Sequence, residues 1–121
     1  MTQALRHYKR GRISVARRYM NDYNELAEQS DPVALAFDAT LSVLEKDSAS
    51  ADRKFQEARS NLELVSSRDD RQYIEFYCLM YEDMIHHKQG TEEYRTMASN
   101  LEVSSKVRDW LNFPPENFYL D

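Results

Sequence analysis

His86 follows Glu82 and Asp83 by one helical turn, a spacing at which an imidazole and a carboxylate share a face and could together hold a metal ion. His86 and His87 are adjacent, so on a helix they diverge by about 100° and cannot ligate one ion jointly. The pattern is therefore read as helix-end cations balanced by acids three and four residues earlier. Cys78 stands alone within Tyr77-Cys78-Leu79-Met80-Tyr81, where it has no disulfide partner and apolar neighbours favour a packing thiol over a nucleophile. Two isolated glycines, Gly11 and Gly90, cannot build a phosphate-cradling loop. No Ser-His-Asp, Cys-His or paired-carboxylate spacing stands out. The chain is read as non-enzymatic, with no catalytic residue, no cofactor and no metal site.

Charge and aromatic rings carry the remaining chemistry. Residues 1–18 contain Arg6, Lys9, Arg10, Arg12, Arg17 and Arg18 and no acid, a local charge of +6 that leaves −11 for the rest of a chain whose formal net charge is −5. Such an arm either lies against its own acidic body or attracts phosphates, nucleic acid or another anionic surface through Arg6, Lys9, Arg10 and Arg12. Of the eight tyrosines, Tyr8, Tyr19, Tyr23, Tyr73, Tyr77, Tyr81 and Tyr94 fall on or beside helical apolar stripes. A tyrosine both packs and offers a hydroxyl, which is why interfaces favour it. An exposed aromatic patch is expected where Tyr19 and Tyr23 meet Tyr73, Tyr77 and Tyr81, with Arg17 and Arg18 at its rim.

Helices must position these groups. The 41% hydrophobic and 31% charged composition is that of a globular chain, and two glycines with three prolines leave few turns for a many-stranded fold. Ile13, Ala16, Met20, Tyr23 and Ala27 share one face of a helix expected over 13–29, after a shorter frayed turn in the 1–12 arm. Ser30 or Asp31 caps a second helix with Pro32 at its first position, running to about Lys46. Asp47, Ser48 or Ser50 restarts the chain into a third, about Ala51 to Val65, whose stripe is Ala51, Phe55, Ala58, Leu62 and Val65. A fourth, from Asp69 or Asp70 to about His87, is apolar around much of its circumference and is expected to be central. A fifth follows Gly90 and Thr91 with Tyr94, Met97, Ala98 and Leu101. A short last helix with Val107, Trp110 and Leu111 precedes Pro114 and Pro115, and the aromatic segment 109–121 is expected to fold back.

An offset of 39 residues pairs Phe37 with Phe76, Leu41 with Met80, Phe55 with Tyr94, and the run Ser60-Asn61-Leu62-Glu63 with Ser99-Asn100-Leu101-Glu102. Two hairpins, 31–69 and 70–108, are thus in register, and recurring helical hairpins are the signature of stacked repeats. The segment Ala51-Asp52-Arg53-Lys54-Phe55-Gln56-Glu57-Ala58 resembles the second helix of a tetratricopeptide repeat, and Phe37, Leu41 and Leu44 roughly fill the large positions of its first helix. The resemblance implies a short solenoid of antiparallel hairpins with a concave peptide-binding face. It brings no ligand-binding residues with it.

The expectation is one all-α domain of five to six helices. It acts as an adaptor that binds a protein, a peptide or a second copy of itself through an aromatic groove, or, alternatively, docks an anionic partner on its basic arm. No apolar run reaches the roughly 18 residues of a membrane span. With its single cysteine, the chain reads as soluble and cytoplasmic.

Overall fold

In a computed structural model, which describes residues 2–27, 31–87 and 92–113, the described part of the chain is 81% helical and has no strand. Seven helices follow one another: α1 (Thr2–Lys9), α2 (Ile13–Leu26), α3 (Pro32–Leu44), α4 (Ser48–Ser60), α5 (Arg68–His87), α6 (Glu92–Ser99) and α7 (Ser105–Trp110). A single 3-10 turn, Leu62–Leu64, separates α4 from α5. The expected end of the first long helix at Gln29, the Gly90–Thr91 connection and the tail beyond Phe113 lie outside the described residues.

Local chemistry accounts for the boundaries. Asp31 Oδ1 accepts from the Val33 N–H at 2.9 Å, with Pro32 at the first helical position where a missing N–H costs nothing. Asp47 caps α4 through the Ser50 N–H at 3.1 Å, and Ser67 Oγ accepts from the Asp70 N–H at 3.3 Å at the start of α5. Helices α1 and α3 end by the same device. Arg12 N–H reaches His7 O while Gly11 N–H reaches Tyr8 O, and Asp47 N–H reaches Ser42 O while Lys46 N–H reaches Val43 O. In each case the residue after the helix takes positive φ, 74° at Gly11 and 65° at Lys46. Glycine does this freely; lysine does not.

One expectation is corrected here. The segment before Gly11 is a formed helix rather than a frayed turn: Ala4 is fully buried, and the Tyr8 ring meets Phe37 of α3 edge-on at 5.3 Å. Helix α5 is central as expected, touched by α3, α4 and α6, and α3 is more enclosed still. Eleven of its thirteen residues are buried, and it touches α2, α4, α5 and α7. Its small residues Ala34, Ala36 and Ala39 let neighbours approach on several sides, whereas α5 keeps Asp69, Glu75 and His86 at the surface or partly exposed. Contacts from α5 to α3, α4 and α6 still satisfy its dense apolar surface. At the C-terminal side Trp110 meets Phe37 edge-on at 5.3 Å, Leu111 is fully buried, and Phe113 packs on Tyr73 and Tyr77.

Candidate functional site

The tyrosines expected to line a groove are inside the protein. Tyr77 and Tyr81 are each 1% exposed and Tyr73 is 9% exposed. Tyr77 shares a 2.6 Å hydrogen bond with the Thr40 hydroxyl, Tyr81 stacks on Phe55 at 5.3 Å, and the Tyr73 hydroxyl donates to Leu111 O at 2.6 Å. The physical reason is volume: Ala36, Ala39, Ala51 and Ala58, all fully buried, leave room between α3, α4 and α5 that the rings fill. Burial pushes the Tyr77 and Tyr81 hydroxyls well above the ordinary phenol value, and the buried Cys78 thiol likewise rises, so none of them ionises near neutrality. Tyr19 and Tyr23, on α2, keep part of their surface exposed.

Arg17, expected at the rim of the groove, turns inward. Its guanidinium pairs with Asp38 Oδ1, the single charged side chain of α3, and reaches Glu45 Oε1 at 2.8 Å and Ser42 Oγ at 3.1 Å. Lys54 Nζ meets the same Asp38 oxygen at 2.9 Å, and Asn24 Nδ2 donates to the other at 2.9 Å. Desolvation of the Asp38 carboxyl would raise its pKa, but the bonds from Lys54, Arg17 and Asn24 outweigh it and hold the group below the usual carboxylate value. With every oxygen engaged by a cation or an amide, this cluster can tie α2, α3 and α4 together but cannot accept a proton from a substrate. The sequence signal for it was present in a lone acid within a helix otherwise free of charge, and the reading above passed over it.

The acids of α5 are also divided among partners. Glu82 Oε2 accepts from Arg59 at 2.7 Å, Asp83 Oδ2 accepts from the Tyr94 hydroxyl at 2.6 Å, and His86 Nε2 lies 2.8 Å from Asp52 Oδ2 of α4. His86 thus meets an acid across helices. The Asp83 bond, followed by burial, lifts the Tyr94 hydroxyl to about 12. Among the described residues no group of three or more His, Cys, Asp or Glu side chains could hold a metal ion.

What remains open is the α1–α2 hairpin. Gly11 folds α2 back on α1, and Arg6, Lys9, Arg10, Arg12 and Arg18 all stay exposed on it. Among the described residues none of these five pairs with a carboxylate, in contrast to Arg17. At the centre, the rings of His7 from α1 and Tyr19 from α2 lie parallel within 5° with centroids 5.4 Å apart, and the Arg18 guanidinium sits 5.7 Å from the Tyr19 centroid. Loss of hydration, then the charges of Arg12, Arg10, Arg6 and Arg18, hold His7 below its ordinary value of 6.5. The charges of four arginines from α1, the turn and α2 therefore all bear on one imidazole. Like charges held together without counter-charges make a surface that gains free energy from a bound anion. The sequence reading named Arg6, Lys9, Arg10, Arg12 and Arg18 but not His7, whose place depends on a hairpin geometry invisible in spacing.

Comparisons of the chain with family models, with curated proteins and with solved structures each returned no match.

Proposed function

We propose that the chain is a non-enzymatic binding module that engages a phosphate-bearing partner on the cationic face of the α1–α2 hairpin. The observation that carries this reading is that Arg6, Lys9, Arg10, Arg12 and Arg18 are all exposed on one helical hairpin and that none of them pairs with a carboxylate among the described residues. The chain spends Arg17 and Lys54 on its own acids and leaves this set to solvent. Titration calorimetry with inorganic polyphosphate tests the proposal. Binding should be measurable at about 50 mM salt, weaken steeply by about 200 mM, and vanish when Arg6→Glu and Arg10→Glu are combined. No heat at low salt would falsify it.

A second reading keeps the two hairpins as a tetratricopeptide-like scaffold for a peptide, and it rests on a cleft of about 340 Å³ between the start of α3, the 3-10 turn and α7. Val33, Val65 and Val107 give the cleft apolar walls, Asp31, Asp70 and Lys106 give it polar edges, and Leu64 beside it is 58% exposed. A displayed peptide library should then yield binders with a large apolar anchor that Leu64→Lys abolishes. Binders indifferent to that substitution would remove this reading.

A further inference from the structure

We infer that the phosphate-bearing partner of the hairpin is single-stranded nucleic acid, with a base stacked on the His7–Tyr19–Arg18 assembly and its phosphates held by Arg6, Arg10 and Arg12. The inference rests on the anion-binding reading above and names the partner within it.

Three observations select this chemistry. The first is that the cationic hairpin also carries aromatic surface: His7 and Tyr19 are both partly exposed, parallel within 5° and accompanied by the Arg18 guanidinium. Imidazole, phenol and guanidinium planes are the surfaces on which unpaired bases stack, and every base offers a π face to them. A ring flanked by guanidinium groups also matches a nucleotide, in which base and phosphate are joined through one sugar.

Footprint is the second. The eight-residue α1 spans about 12 Å. Along α2 the patch ends at Asp22 and Glu25, which are exposed and acidic. A duplex is rigid, carries a charge about every 1.7 Å along its axis, and would be pressed against those acids and the negative body beyond them. A single strand can cross the arginines and turn away.

The third separates nucleic acid from an anionic lipid surface. A helix that lies in a membrane interface presents apolar side chains to the lipid opposite its basic face. Here the apolar residues of α1 are already used: Ala4 is fully buried, and Leu5 and Tyr8 pack against the core. Among the described residues the exposed large hydrophobics are Leu26, at the far end of α2, and Leu64, in the 3-10 turn.

Fluorescence anisotropy at low salt with the full chain provides the test, using a labelled oligothymidylate of about eight nucleotides, an abasic phosphodiester of the same length, a duplex of the same length, and phosphatidylserine vesicles. The oligothymidylate should bind about tenfold more tightly than the abasic chain, the gain expected of one stacked base. Tyr19→Leu should bring the two to the same affinity, and the abasic comparison needs no variant if that substitution impairs folding. Equal binding of the thymidylate and abasic chains by the unmodified protein would overturn base stacking while leaving the anion reading in place. Tighter binding to duplex or vesicles would overturn the choice of partner. Failure of all four ligands, and of polyphosphate, would remove the underlying reading as well.

Discussion

At the scale of single residues, the distinction that matters is between cations with a partner and cations without one. Arg17 and Lys54, which share the carboxylate of Asp38, belong to the first class. The Asp38 side chain is almost wholly enclosed, and its carboxylate is acceptable there because Arg17 and Lys54 sit on it. Replacing Asp38 with Ala would take the carboxylate from Lys54 and leave Arg17 with that of Glu45 alone, at partly buried positions, and urea unfolding should show a loss of about 3 kcal/mol. Because the folded-state pKa of Asp38 lies below the unfolded value of roughly 3.9, its contribution is fully present above that pH and disappears as acid titrates the group in the folded state. The stability gap between the parent and Asp38→Ala should therefore be constant from about pH 7 to 5 and shrink below about pH 4. A gap that persists at pH 2 would mean that packing, not charge, sets the value of the site. His7 shows the opposite situation. Its folded value below 6.5 means that acid must protonate it against four guanidinium charges, so it opposes folding as pH falls through that region. An anion bound on the same face reverses the field. The His7 ring protons followed by NMR should accordingly titrate at higher pH when polyphosphate is added; an unchanged midpoint would place the anion elsewhere.

At the scale of elements, helix ends were more legible than helix surroundings. Asp31 before Pro32, Asp47 after α3, and the acids near the start of α5 each announced a boundary within a few residues of the observed one, because capping is a local interaction written in adjacent side chains. The first helix was underrated for the complementary reason. Its anchor, Tyr8 against Phe37, joins residues far apart in the chain, and nothing near Tyr8 reveals that a ring awaits it. The aromatic groove failed in the same way, since the apolar stripe of α5 was correct and only the alanines of α3 and α4 decided that Tyr77 and Tyr81 would be enclosed. Of the candidate site, the arginines were visible as composition, whereas His7 and the inward turn of Arg17 required the hairpin itself. One element carries an avoidable strain. Lys46 ends α3 in the left-handed region that costs a side-chain-bearing residue about 1 kcal/mol. Lys46 is exposed and forms no ion pair among the described residues, so Lys46→Gly should raise stability by roughly 0.5 to 1 kcal/mol in thermal or urea unfolding. A loss of stability would show that the lysine side chain supports the turn in some other way.

At the scale of the whole molecule, the 39-residue correspondence and the charge asymmetry have different consequences. Leu41 and Met80 occupy equivalent, fully buried places in α3 and α5, but the hairpins diverge around them: α4 has thirteen residues where α6 has eight. Asp31 caps α3, while its counterpart Asp70 lies inside the first turn of α5 and accepts the Ser104 N–H at 2.8 Å. The charge asymmetry, by contrast, bears on function directly. Residues 1–18 carry cations and no acid at one end of a molecule whose remainder has a net charge of −11, so the length of any polyanion that can lie on that end is set by where the acids begin, at Asp22 and Glu25 on α2. Helix α1 covers about 12 Å, room for roughly three phosphates of an extended strand. Each phosphate neutralised on a single strand contributes about −0.7 to the slope of log affinity against log salt, so the slope for oligothymidylate should be about −2 and should not steepen when the oligonucleotide is lengthened from eight to about twenty nucleotides. Should the slope instead grow with length, the strand must continue past Asp22 and Glu25 over the acidic body, and the boundary drawn by those two carboxylates would have no role in limiting what the hairpin holds.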